Sequence, residues 1–229
     1  AHPRLIVCSV SGYGSTGPFR DRKAYDLLVQ AESGLLSITG TESDSVKVPI
    51  SVADIAAGMY AYSGILTALF MRERTGRGTA IEVSMLEALG EWMGFPMYYT
   101  SDGKRSLPRS GARHAAIAPY GPFAGADGDV VFLGVQSERE WKTFCDVVLG
   151  RPALALDSRF DTNAKRVANL DALYQEIEAV FRELSSDAIV ALLERAGIAY
   201  ARLNSVQQFA AHPQLRARDR WAEVGSPVG

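Results

Sequence analysis

The chain has 229 residues, with 24 Lys and Arg against 26 Asp and Glu, for a formal net charge of -2. Hydrophobic residues at 47% and charged residues at 22% exclude an intrinsically disordered chain, and the near balance of charge excludes the basic footprint of a nucleic-acid or anionic-membrane binder. Two cysteines, Cys8 and Cys145, are too few for a disulfide framework, and no CxxC or HxxxH spacing offers a metal site, so a reducing cytoplasm and no metal are expected.

At roughly 100–200 residues per domain, one large or two modest domains fit this length. Residues 5–10 read as a short buried strand, entered with no charged-then-apolar leader, so no signal peptide is expected. A Gly-rich loop, 11–18, follows. Residues 24–36 have helical spacing in Tyr25, Leu28, Val29 and Leu35, and 41–47 are a polar loop. Ser51 suits the N-cap of a long helix over 52–72. Its uncharged run, 55–71, is near the lower limit for a membrane span, but Gly58, Tyr60, Tyr62, Ser63, Gly64 and Thr67 make a buried core helix the expectation. Thr75-Gly76-Arg77-Gly78 ends it, a strand follows at 80–84, and a helix is expected over 85–98. That order suggests part of an α/β layer.

Between 100 and 113 the composition turns small and charged, which reads as a linker. Strands at 120–124 and 130–135 flank Gly125-Ala126-Asp127-Gly128-Asp129, a hairpin signature. Ser137-Glu138-Arg139-Glu140 is a capping box for a helix to Leu149. Amphipathic helices are expected over 164–184 and 187–196, the second capped by Ser186 and closed by Gly197, before a last strand at 199–203. The expected organisation is a partial large α/β domain, 1–105, then a linker and small α+β domain, 106–229.

Asp54 stands at the third position of the long helix. It is either a first-turn acid that stabilises the helix or an accessible carboxylate nucleophile among small neighbours, and spacing leaves both open. The Gly12–Pro18 loop matches neither the P-loop nor the dinucleotide fingerprint; it is a phosphate cradle or a turn leaving a strand. Lys23 and Asp26 have the spacing of a solvated ion pair. Arg109, Arg113 and His114 could grip a carboxylate or simply decorate a charged linker. No Gly-x-Ser-x-Gly elbow points to a serine hydrolase.

Taken in order, Val10-Ser11-Gly12-Tyr13-Gly14-Ser15-Thr16-Gly17-Pro18, Lys23-Ala24-Tyr25-Asp26, Ile38-Thr39-Gly40, Asp54-Ile55-Ala56-Ala57-Gly58-Met59 and Arg74-Thr75-Gly76-Arg77-Gly78 resemble the class III (CaiB/BaiF) CoA-transferases. That family includes formyl-CoA transferase, the carnitine CoA-transferase type and α-methylacyl-CoA racemase. The later Arg113-His114, Ala118-Pro119-Tyr120-Gly121-Pro122-Phe123, Ser137-Glu138-Arg139-Glu140-Trp141 and Arg159-Phe160 resemble the branch acting on mesaconate, itaconate, malate or succinate. The resemblance covers the whole chain but only somewhat over half of a typical member. It implies a Rossmann-like large domain truncated at both ends, without the amino-terminal segment and the final carboxy-terminal stretch.

The resemblance further implies Asp54 as catalytic aspartate, Lys23, Ala24, Tyr25 and Asp26 as the CoA-contacting segment, and transfer of CoA through aspartyl anhydride and aspartyl-CoA intermediates. CoA and acyl-CoA would be substrates, with no permanently bound cofactor, and the assembly an interlocked homodimer. The racemase branch carries its catalytic histidine where this chain has Tyr25. A tyrosine phenol, ordinarily titrating near ~10, suits a neutral-pH base poorly, so transfer is favoured. An inactive fragment or assembly module is the remaining alternative. Arg109, Arg113 or His114 would recognise the distal carboxylate of a dicarboxylate acceptor.

Overall fold

A computed structural model describes residues 2–103 and 107–226. It divides the chain into two compact units, Ala1–Ala115 and Ala116–Gly229. The domain boundary expected at 105/106 lies outside the described residues. Part of the expected linker is bonded into the first unit: Gly111 N–H donates to the Gly40 carbonyl at 2.7 Å, and Arg109 donates to the 41–42 loop.

In the first unit, β1 (Val7–Ser11) and β2 (Ala80–Ser84) pair in parallel, Val7 opposite Ala80 and Ser11 opposite Ser84. Parallel strands need a crossover. Here it holds α1 (Asp26–Glu32), α2 (Leu35–Ile38) and α3 (Val52–Thr75). The single helix expected over 24–36 is broken because Gly34 takes a left-handed φ of 82°, which a side chain would resist. The expected helix over 85–98 is likewise two, α4 (Met85–Trp92) and α5 (Gly94–Thr100). Pro96 cannot donate to the Trp92 carbonyl, so the chain restarts and Pro96 falls in the first turn of α5, where no N–H is needed.

The expectation of a wholly buried α3 is corrected. Val52, Ala53, Ala56, Ala57 and Ala68 are buried, while Ile55, Met59, Tyr62, Leu66 and Phe70 form an exposed stripe at helical spacing. By length and composition α3 could cross a membrane, yet its small-residue face packs into a core with Val29, Val83, Met85, Ala88 and Leu89. Ser51 does stand at the cap position of α3, but its side chain makes no capping bond.

The second unit is α+β. Strands β3 (Tyr120–Ala124), β4 (Val130–Gly134) and β5 (Ala199–Arg202) form an antiparallel sheet in that order. The β3–β4 turn is tied down by Asp127, whose carboxylate accepts the Ser186 N–H at 2.8 Å. That bond holds its carboxyl below the usual range. The capping box is formed as expected, and α6 (Glu138–Thr143) continues through a π-helical turn, Phe144–Val148.

The helix expected over 164–184 is two, α7 (Asn163–Ala168) and α8 (Leu170–Phe181), because the Asn169 side chain donates to the Lys165 and Arg159 carbonyls and bends the chain between them. Helix α9 (Ser186–Ala196) is capped by Ser185, not Ser186. Two short helices, α10 (Val206–Ala210) and α11 (Pro213–Ala217), were not anticipated, although Ser205–Gln208 is a capping box and Pro213 stands at a helix start.

The second unit's core is aromatic: Trp141, Phe144, Phe160 and Phe181 are fully buried. Beside them the buried Arg166 grips Glu138 with both ends of its guanidinium, at 2.9 and 3.1 Å, and also donates to the Ala118 and Phe160 carbonyls. The arginine holds the Glu138 carboxyl below its usual range. Burial pushes the Cys145 thiol up to about 12, so it is an inert core residue.

Candidate active site

In parallel α/β layers the reactive groups gather beyond the carboxyl ends of the strands. Here β1 ends at Ser11 and β2 at Ser84, directly opposite each other. The next residue after β1, Gly12, accepts the Leu86 N–H on its carbonyl at 3.1 Å, which stitches the glycine loop to the start of α4. Ser84 caps α4 by accepting the Glu87 N–H. Helix α3 ends only a few residues before β2 begins, so its first turn, with Asp54, returns towards the carboxyl edge.

The glycine loop is held from β2. Glu82 accepts both the Ser15 hydroxyl, at 2.8 Å, and the Ser15 N–H. The hydroxyl chiefly, then the N–H, pulls the Glu82 carboxyl below its usual range. Gly12 allows the next segment to close on the loop: a Cβ there would stand 2.1 Å from the Ala24 Cβ. Ala24 therefore packs inward, half-buried, while Lys23 and Tyr25 remain exposed on either side of it. Beside Lys23 opens a cavity of 420 Å³ lined by Tyr13, Arg22, Lys23, Leu28, Ala31 and Glu32. Its rim is ordered by Arg22, which lies 3.6 Å over the Phe19 ring and pairs with Glu32 at 3.5 Å.

Asp26 does not pair with Lys23. One of its oxygens accepts the Ala53 N–H at 2.8 Å and the other accepts the Gln30 side-chain N–H at 2.6 Å. The cap that Ser51 leaves unmade is thus supplied from α1, by a carboxylate 27 residues away in sequence. Satisfying one of the open N–H groups of a helix start in this way typically contributes about 1 kcal/mol. Asp54 follows Ala53 immediately. It is exposed, and among the described residues no hydrogen bond or ion pair engages its carboxylate. The structure thus joins Gly12, Ala24, Asp26 and the first turn of α3 through direct contacts.

Of the expected carboxylate-binding residues, Arg109 is half-buried and already committed. Its Nε donates to the Thr41 carbonyl and its Nη2 to the Glu42 carbonyl, both at 2.8 Å. Arg113 is half-buried and His114 exposed. The Arg113 backbone is turned by Ser110, whose hydroxyl donates to the Arg113 carbonyl at 2.7 Å. Sequence reading missed Gln30 and Glu82. A polar residue on the buried face of α1 was the signal for Gln30; Glu82 in a short strand carries none.

A family model described as CoA-transferase family III matches residues 1–229. The chain is 33% identical over 227 residues to the succinyl-CoA:glutarate CoA-transferase of Homo sapiens, covering 99% of this chain and 51% of that protein. It is 34% identical over 226 residues to the acetyl-CoA:oxalate CoA-transferase of Acetobacter aceti, covering 98% and 58% respectively. The crystal structure of a CAIB/BAIF family protein from Brucella suis superimposes with a TM-score of 0.80 at 32% identity, covering 94% of this chain and 57% of that one. The chain spans about half the length of the curated relatives it matches. With its whole length matched, and the α/β fold shared with a solved relative, the chain belongs to CoA-transferase family III.

Proposed function

We propose that this chain carries the nucleophile of a CoA-transferase that moves CoA between an acyl-CoA thioester and a small dicarboxylic acid. The observation that carries the reading is Asp54: an exposed carboxylate without a partner among the described residues, in a helix turn that Asp26 anchors from outside. The bond at that helix start is supplied by Asp26, so the Asp54 carboxylate is not spent on it. Two relatives named for glutarate and oxalate support the dicarboxylate class. The first unit is then a portion of a Rossmann-like layer.

In the proposed cycle an Asp54 oxygen adds to the thioester carbonyl. The C–S bond breaks, CoA leaves as thiolate, and a mixed anhydride remains. The thiolate attacks the aspartyl carbonyl, releasing the donor acid and leaving an aspartyl-CoA thioester. The acceptor carboxylate attacks that thioester, expels the thiolate again and forms a second anhydride. Thiolate attack on the acceptor carbonyl then frees Asp54 and the new acyl-CoA. Dividing one exchange into four additions is covalent catalysis. Each tetrahedral oxyanion needs N–H donors, each worth about 3–4 kcal/mol. Amides of the glycine loop and the first turn of α3 are the candidates.

Lys23, Ala24, Tyr25 and the adjoining cavity form the proposed path of CoA, whose phosphates suit the Lys23 ammonium. Recognition of the acceptor's distal carboxylate is assigned to the group of Arg109, Arg113 and His114, of which Arg109 also holds the 41–42 loop. Racemisation is not favoured, since no histidine stands at Tyr25. A cytoplasmic homodimer completes the proposal, with the exposed stripe of α3 as apolar surface that an assembly would cover.

The test is intact-mass spectrometry after mixing with succinyl-CoA and trapping with hydroxylamine. A hydroxamate at Asp54, absent in Asp54→Ala, is the expected result. A chain that neither holds CoA nor forms the adduct would instead be an inactive module of the fold.

A further inference from the structure

Gln30 is completely buried, and a buried amide must be fully accounted for. It lies one turn after Asp26 on α1. Its Nε2 donates to Asp26 Oδ2 at 2.6 Å and to the Val48 carbonyl at 3.2 Å, and its Oε1 accepts the Val48 N–H at 2.9 Å. Three of the four bonds an amide can make are therefore used, all on two targets. Val48 belongs to the segment that leads into α3, and Asp26 holds Ala53 inside the first turn of α3. An apolar side chain of the same size would fill the space without tying these strands of chain together.

We propose that Gln30 is a positioning residue for Asp54. One donor and one acceptor site of its amide fix the approach to α3 at Val48, and its other donor aims the Asp26 carboxylate at the Ala53 N–H. The residue next to Ala53 then presents its carboxylate in one place relative to the Lys23–Asp26 segment. A neutral donor is needed at this point, because a second carboxylate 2.6 Å from Asp26 would repel it. Misplacing a reacting group by about 1 Å costs on the order of 10²-fold in rate, so the clamp matters to chemistry more than to folding. This inference rests on Asp54 being the nucleophile.

Two variants test it, Gln30→Met and Gln30→Glu, read by amide hydrogen exchange at Ala53 and by the single-turnover rate of adduct formation at Asp54 with saturating succinyl-CoA. Both variants are expected to lose Ala53 protection and to form the adduct about 10²-fold more slowly, with CoA affinity within about 2-fold of the parent. In Gln30→Glu the loss should lessen as pH falls, because a proton shared between the introduced carboxylate and Asp26 restores the missing donor. Above that pH the two charges repel and the clamp opens.

Unchanged Ala53 protection in both variants overturns the proposal. So does lost protection with an unchanged adduct rate, which would make Gln30 a merely structural residue. If the parent forms no adduct, the transferase reading fails. The clamp is then judged by Ala53 exchange and by carbodiimide labelling of Asp54, which needs no CoA; equal labelling of parent and variants overturns it.

Discussion

The two units of this chain are held by different means. The second closes on large aromatic side chains, with Trp141, Phe144, Phe160 and Phe181 entirely out of water. The first buries mostly small residues, Ala53, Ala56, Ala57 and Ala88 among them, and leaves a full stripe of α3 and much of β1 exposed. What small residues forgo in buried area they return as close approach, and polar clamps then set the geometry: Asp26 on Ala53, Gln30 on Val48 and Glu82 on Ser15. Directional bonds tie both units, Arg166 and Asp127 in the second, but only the unit with the candidate nucleophile depends on them in place of an aromatic core. Burial stabilises without direction, whereas hydrogen bonds locate groups to tenths of an ångström.

The comparison would break most visibly at Phe144. Phe144→Ala removes a fully buried ring that meets Trp141 at 6.1 Å and Phe181 at 6.5 Å between centroids. A loss of about 3–5 kcal/mol is expected, with hydrogen exchange rising in 116–226 in urea titration. Equal loosening of residues 2–103 would show that the aromatic core supports both units.

A smaller effect, but a local one, is expected from Gly12→Ala. The added methyl meets the Ala24 Cβ, and the neighbours must shift. Overpacking of this kind costs about 1–3 kcal/mol. CoA binding measured by calorimetry should weaken more than thermal stability does. Wild-type binding with lowered stability would separate Ala24 from the CoA path.

The least effect belongs to Glu82, which is exposed. Its folded-state pKa lies below the ordinary carboxylate value, so its contribution is fully present above the unfolded value near about 4.3 and is lost as pH falls through the folded one. The Ser15 amide resonance should therefore titrate in acid below about pH 4.3, and that response should vanish in Glu82→Gln. A Ser15 signal indifferent to acid would mean that the glycine loop keeps its shape without the latch.

Much of this was legible along the chain. Strands β2 to β5, the long α3, the Ser137 capping box and the hairpin all follow from periodicity and local cap chemistry, which act within a few residues. Misreadings came where a local signal was outvoted by one residue: Gly34, Pro96 and Asn169 each divided a helix whose apolar spacing ran on without a break. Asp54 was visible as an acid in a first helical turn, and Lys23-Ala24-Tyr25-Asp26 as a motif. Their roles came from the resemblance alone, since spacing left each of them open.

The sequence alone determined the family, the strands, the long α3 and the identity of the acid in its first turn, because motif order and helix or strand periods are properties of neighbours. Only the tertiary structure decided that Asp26 caps α3 in place of Ser51, that Arg109 is occupied by the 41–42 carbonyls, and that a buried Gln30 joins α1 to the start of α3. Those bonds span 18 to 68 residues. No local pattern encodes a partner at that distance: the folded crossover between β1 and β2 brings Asp26 and Gln30 to the start of α3, and the chain after α5 brings Arg109 back to the 41–42 loop.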